Sequence, residues 1–124
     1  MKYFSSRDSK KEHPYSLKEA AFLGLAPDGG LFMPERYPKA DMDAVDFEAG
    51  RSFADMALYL SSLLFGEDVD RRDLEKVVKE AFNFDVPMVS VAEGLDTLQL
   101  FHGPTFAFKD FGGRFMGRMM GLLN

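Results

Sequence analysis

Residues 100–115 read L-F-H-G-P-T-F-A-F-K-D-F-G-G-R-F, and how this run divides decides the fold of the chain's last part. Just ahead of it, T-L-Q-L-F (97–101) alternates polar and apolar residues over a strand-length stretch. H-G-P-T is a turn. Beyond it, Phe108, Phe111, Phe115, Met119 and Leu122 recur at steps of three or four, which predicts a helix over about residues 107–123. The order is strand, turn, helix, the first half of a βαβ unit. A parallel partner strand would have to follow the helix, and the sequence ends at Asn124. The expectation is therefore a fragment of a longer α/β protein.

Lys109 falls in the first turn of that helix. Phe108 and Phe111 flank it and are expected to exclude water. Desolvation disfavours an ammonium, and the positive end of the helix dipole acts in the same sense. A neutral amine is a nucleophile towards a carbonyl. An ordinary lysine, by contrast, snorkels to solvent.

Upstream, Lys2–Ser5 is expected as a short strand. In P-Y-S-L-K-E-A-A-F-L-G-L, Ser16 and Glu19 have capping-box spacing, predicting a short helix at 17–23 that Gly24 ends. A-P-D-G-G-L-F-M-P then supplies a turn, with Gly29 or Gly30 at positive φ, and a short strand at Leu31–Met33. A loop flanked by Pro34 and Pro38 continues through acidic D-M-D-A-V-D (41–46). Phe53, Met56, Ala57, Leu60, Leu63 and Leu64 mark one face of a helix with Ser52 as N-cap and Gly66 as stop. Leu74, Val77, Val78 and Ala81 are the stripe of a second helix capped by Asp70. Pro87 breaks the chain, and Met88–Val91 is a brief extended piece.

The bulk composition narrows the class. The 124 residues carry a net charge of −5, against a general nucleic-acid surface. No Cys is present, so disulfides and Cys-based metal sites are excluded, and with His102 alone near the lysine no metal site assembles. The N-terminus lacks a signal-peptide run, and no stretch approaches the roughly 20 apolar residues of a membrane span. A cytoplasmic protein with no membrane partner is expected.

Two stretches carry a family resemblance. F-H-G-P-T-F-A-F-K-D-F-G (101–112) resembles the pyridoxal-phosphate lysine segment of the threonine synthase family, within the fold-type II (tryptophan-synthase β-like) enzymes. S-L-K-E-A-A-F-L-G-L-A-P-D-G-G-L-F-M-P (16–34) resembles the N-terminal signature of the same family, in the right order. D-G-G-L points to that family over other fold-type II enzymes of amino-acid metabolism. The resemblance implies an α/β fold-type II enzyme, of which this chain is a mostly helical piece with a few short strands ending in strand–turn–helix. It implies an N-terminal domain over 1–90 and the start of a catalytic domain over 91–124.

It further implies a lyase of threonine biosynthesis, converting O-phospho-L-homoserine and water to L-threonine and phosphate. Lys109 would hold pyridoxal phosphate as a Schiff base and move the substrate's α-proton. Phe108 and Asp110 would contact the cofactor; Thr105 and His102 would contact substrate. For Asp110 a favourable position near the helix dipole is the simpler account, for Thr105 helix capping, and for His102 a turn hydrogen bond. Phe106 and Gly113 depart from the family pattern, which has smaller aliphatic residues and alanine there. The recurring Gly113, Gly117 and Gly121 are expected to pack closely on a sheet. The phosphate cradle would lie outside this chain, leaving the fragment inactive and prone to self-association through its last helix. A non-catalytic interaction module is the alternative from another class.

Overall fold

The computed structural model describes residues 1–41 and 52–124; residues 42–46 of the expected acidic loop lie outside them. The described residues form four helices and four short strands: β1 (Tyr3–Ser5), α1 (Leu17–Leu23), β2 (Phe32–Pro34), α2 (Phe53–Phe65), α3 (Arg71–Ala81), β3 (Met88–Ala92), β4 (Leu95–Leu98) and α4 (Lys109–Leu123). The strands make two separate antiparallel pairs, β1 with β2 and β3 with β4.

The β1–β2 pair is closed by side chains of the D-G-G turn. Tyr3 stands opposite Pro34 and Ser5 opposite Phe32. The Ser5 hydroxyl donates to Asp28 Oδ1 at 2.7 Å, and the Gly30 N–H donates to the same oxygen at 2.9 Å. Arg7 donates through Nη1 to the Asp28 carbonyl at 2.6 Å. Of the two turn glycines, Gly29 takes positive φ, at 76°. Gly30 serves a different need: a Cβ there would run into Ser5 Oγ and lie 3.2 Å from the Arg7 nitrogen.

The Ser5 hydroxyl, then the Gly30 N–H, hold the Asp28 carboxyl below its usual range. A folded pKa below the unfolded one contributes stability above the unfolded value, and that contribution is lost as pH falls through the folded value. Asp28→Asn is therefore expected to lower the urea midpoint at neutral pH. The gap to the parent chain should narrow below about pH 4, where the free carboxyl protonates. Parallel urea titrations across that range would show a constant gap if Asp28 contributes no such linkage.

α1 begins at Ser16, whose hydroxyl accepts from the Glu19 N–H at 3.2 Å while the Glu19 carboxylate accepts from the Ser16 N–H at 2.8 Å. Gly24 ends it, as expected, with φ 72° and ψ −55°, a positive φ outside the left-handed helical region. α2 has a second capping box, with Ser52 as N-cap and Asp55 as its reciprocal partner. All four stripe residues of α3 are buried, and Leu74 is 0% exposed.

The apolar stripe expected on α2 is only partly used. Leu60 and Leu64 are exposed, and Leu58 and Phe65 are the α2 residues packed on the core built from Tyr3, Leu17, Leu74, Val77 and Met119. α2 is apolar round much of its surface, so periodicity alone did not identify the face that α3 and α4 would cover. Phe53, Phe82, Phe84, Phe111 and Phe115 form an aromatic cluster beside this core. Phe82 and Phe115 stack at 5.9 Å, and Phe111 meets Phe53 and Phe84 edge-on at 5.6 and 5.1 Å.

The strand before the last helix lies at Leu95–Leu98, two residues earlier than the alternation at 97–101 indicated. Its partner among the described residues is β3, across a two-residue loop, Glu93–Gly94, with Gly94 at φ 73°. The pairing fixes the register: Met88 faces Leu98 and Ala92 faces Leu95, with Val91 bulged. Every residue of both strands is exposed. Strand, turn and helix follow in the expected order, but the strand belongs to an antiparallel hairpin here.

Candidate functional site

The turn at 101–108 and the start of α4 carry every residue singled out as a site candidate. α4 is fixed from its buried side. Phe111 and Phe115 enter the aromatic cluster. Arg114 lies against the end of α3, donating from Nε to the Ala81 carbonyl, from Nη2 to the Glu80 carbonyl, and from Nη2 to Asn83 Oδ1, at 2.8, 2.8 and 2.7 Å. These carbonyls end a helix and have no partner within it. The guanidinium supplies both charge and donors there.

On a helix, residues two apart point to nearly opposite sides. With Phe111 inward, Lys109 faces out, and it is exposed. Its Nζ takes part in no ion pair or hydrogen bond among the described residues; it lies 5.2 Å from the centroid of the Phe108 ring, in cation–π range. Phe108 is itself 64% exposed. The water exclusion expected around the lysine is thus absent among the described residues, because Phe111 turns to the core and Phe108 stays in solvent.

The helix face below Lys109 is open. A Cβ added at Gly112, Gly113, Gly117 or Gly121 would meet nothing within 4 Å. The close packing of these glycines on a sheet is therefore not seen among the described residues. A group approaching Lys109 along this face can reach the helix backbone without meeting side chains at 112 and 113.

The neighbouring candidates divide. Asp110 is 6% exposed, and its Oδ2 accepts from the Thr105 N–H at 2.8 Å. Thr105 does not cap the helix: the residue at the cap is Phe108, with no side-chain cap bond. His102 Nε2 is 2.8 Å from Gln99 Oε1, and the ring stacks on Phe101 at 4.7 Å. That is the turn role which residue type alone suggested. The apolar cleft of about 380 Å³ between α1 and α4 is lined by residues such as Tyr3, Leu17, Phe115 and Met119, and none of residues 101–111 enters it.

The family model described as "Threonine synthase N terminus" matches residues 2–82, well over half of the chain. The chain belongs to the threonine synthase family. Threonine synthase of Serratia marcescens is 37% identical over 120 residues, covering 97% of this chain and 28% of the relative. That of Escherichia coli is 35% identical over 120 residues, again 97% and 28%. With 97% of this chain aligned, Lys109 falls inside both comparisons. The chain spans about 28% of the length of these curated relatives.

The solved threonine synthase of E. coli superposes with a TM-score of 0.90 at 34% identity, over 99% of this chain and 28% of that one. The PLP-bound threonine synthase of Brucella melitensis gives 0.88 at 34%, over 99% and 27%. This likeness bears out the fold-type II assignment.

Two residues that the sequence reading passed over shape this site. Arg114 is not singled out by the motif, although an arginine just past the lysine and on the buried side of the helix asks for an acceptor. Gly103 was read as turn-forming. In the structure it also makes room for Asp110, since a Cβ there would lie 2.7 Å from the Asp110 Cβ.

Proposed function

We propose that this chain is the N-terminal part of a pyridoxal-phosphate-dependent threonine synthase, and that Lys109 is the residue through which the cofactor is held. The observation that carries the reading is the exposed amine at the head of α4, without hydrogen bond or ion pair among the described residues and beside the open positions Gly112 and Gly113, in the motif H-G-P-T-F-A-F-K-D. When bound, the cofactor supplies an aldehyde for the amine and a conjugated ring that accepts the electrons of a broken Cα–H bond. Lys109 and Phe108 fit such a group: the amine is accessible, and the ring beside it is an apolar surface left in solvent. Asp110 fits a direct contact less well, with its carboxylate turned inward. Lys109 Nζ would take the substrate's α-proton and return protons during turnover. His102 and Thr105 remain the candidates for substrate contact, from the turn ahead of the helix.

The reaction in this reading is O-phospho-L-homoserine and water to L-threonine and phosphate, a lyase step of threonine biosynthesis in the cytoplasm. The division into an N-terminal domain over 1–90 and the beginning of a catalytic domain over 91–124 belongs to the same proposal. So does inactivity of the 124-residue chain alone, which aligns with about 28% of its relatives.

Borohydride reduction of a longer chain that carries the phosphate cradle, in the presence of pyridoxal phosphate and followed by peptide mapping, tests it. The label should concentrate on Lys109 over the other lysines. An even spread over surface lysines would sink the assignment. Phosphate release from phosphohomoserine by this chain alone, at on the order of 1 s⁻¹ or more, would overturn the expected inactivity.

Self-association is part of the proposal as well. Met116 and Leu122 of α4 are exposed beside the open glycine positions. Light scattering is expected to show mass growing with concentration, and Met116→Lys should reduce it. A monomer at every concentration would remove this claim.

A further inference from the structure

We propose that Asp110 is a positioning residue: its buried carboxylate latches the turn at 103–108 and thereby turns Lys109 outward. The inference rests on the reading of Lys109 as the cofactor lysine. Asp110 is the one acidic or basic side chain buried among the described residues. No cation lies within ion-pair distance of it among those residues. Its bonding is local: Oδ2 accepts from Thr105 N–H at 2.8 Å, five residues back, across the whole turn.

The turn is built to receive it. Gly103 is buried and lies flat against the Asp110 side chain; a Cβ there would be 2.7 Å from the Asp110 Cβ and closer still to Oδ2. The Phe106 N–H donates to the Gly103 carbonyl at 3.0 Å, and the Asp110 N–H to the Ala107 carbonyl at 3.0 Å. Phe106 sits at φ 57°, a conformation that a bulky residue holds only when its surroundings impose it. The carboxylate and the two turn bonds are those surroundings.

Geometry links the latch to the amine. Neighbouring helix residues point about 100° apart. With Asp110 drawn inward under the turn and Phe111 in the aromatic cluster, the remaining direction for Lys109 is the open face. An acid in a first helical turn needs no such role to be favoured. Here, however, it is buried, and it bonds to the turn that precedes the helix instead of to the helix itself.

The test uses the 124-residue chain with Asp110→Ala, Asp110→Asn and Gly103→Ala. Asparagine keeps an oxygen that accepts the Thr105 N–H; alanine does not. Gly103→Ala attacks the same contact from the turn. Amide exchange at Thr105 is expected to quicken by about tenfold or more in Asp110→Ala and Gly103→Ala, the loss of one buried hydrogen bond. Backbone carbon shifts of Phe106 should move with it, and in a longer chain that carries the phosphate cradle the preference of pyridoxal phosphate for Lys109 in borohydride trapping should fall. Asp110→Asn should restore all three.

Unchanged Thr105 exchange and Phe106 shifts in Asp110→Ala would overturn the latch, whatever the trapping shows. A protected Thr105 in Asp110→Asn with trapping at Lys109 lost would also overturn it, pointing to the charge acting on the cofactor directly. Absence of Lys109 preference in the longer parent chain would count against the proposed function alone, and the exchange data would still decide the latch.

Discussion

Lys109→Ala is expected to abolish the preferential capture of pyridoxal phosphate by a longer chain that carries the phosphate cradle, while leaving the fold unchanged. The side chain is exposed and has no hydrogen bond or ion pair among the described residues, so its removal breaks only the cation–π contact with Phe108. Contacts of that kind at exposed sites are worth about 0.5–1 kcal/mol. Far-UV circular dichroism and the urea midpoint should therefore barely move, whereas the trapped peptide spanning residue 109 should vanish from the map. Lys109→Arg sharpens the result. It keeps the charge and the stacking, but a guanidinium stays protonated and cannot serve as the nucleophile. Both variants should fail alike. In a longer chain with threonine synthase activity, either change is expected to lower turnover by on the order of 10³-fold or more, because an attachment group and a proton carrier are lost together. Trapping that persists at full yield in Lys109→Ala would mean that another amine holds the cofactor.

The second large effect belongs to the core. Leu74 is 0% exposed and lies with Val77 and Met119 where α3 meets α4. Leu74→Ala removes three buried carbons and leaves a cavity that close-packed neighbours fill only partly, so a loss of about 2–5 kcal/mol is expected. A domain of this size has roughly 5–15 kcal/mol in total. The urea midpoint should drop sharply, and a substantial unfolded fraction without denaturant is within reach. Leu60→Ala provides the contrast. Its side chain is half exposed on α2, and surface changes usually stay within about 0.5 kcal/mol. Equal losses at the two positions would show that the stripe read from periodicity, and not the face packed in the structure, forms the core.

That contrast marks how far the sequence could be read. Local signals were legible because they act over three or four residues. Ser16 with Glu19, and the stripe Leu74, Val77, Val78, Ala81, appear in the structure where spacing placed them. The pairing of Ser52 with Asp55 was less legible, because a capping box usually carries glutamate or glutamine at that position. Signals that need a second element were not legible. Leu60 and Leu64 are as apolar as Leu58, and only the arrival of α3 and α4 decides among them. T-L-Q-L-F alternates well, yet pairing with β3 across Glu93–Gly94 sets the strand at Leu95–Leu98. At the candidate site, Lys109 was found through its motif. The contacts of Arg114 with the end of α3 and of Asp110 with Thr105 depend on side-chain direction, which spacing does not give.

The β3–β4 hairpin bears on how the protein behaves in a tube. Two strands alone are marginal in water. The bulge at Val91 spoils one outer edge, while β4 presents Leu95–Leu98 on the other with a single charge, Asp96. Such an edge is a template on which further molecules can stack strand upon strand into fibrils. Storage life would then be governed by this ribbon, and Thr97→Lys, which adds a repelling charge along it, is the change that should keep a stock clear for longest.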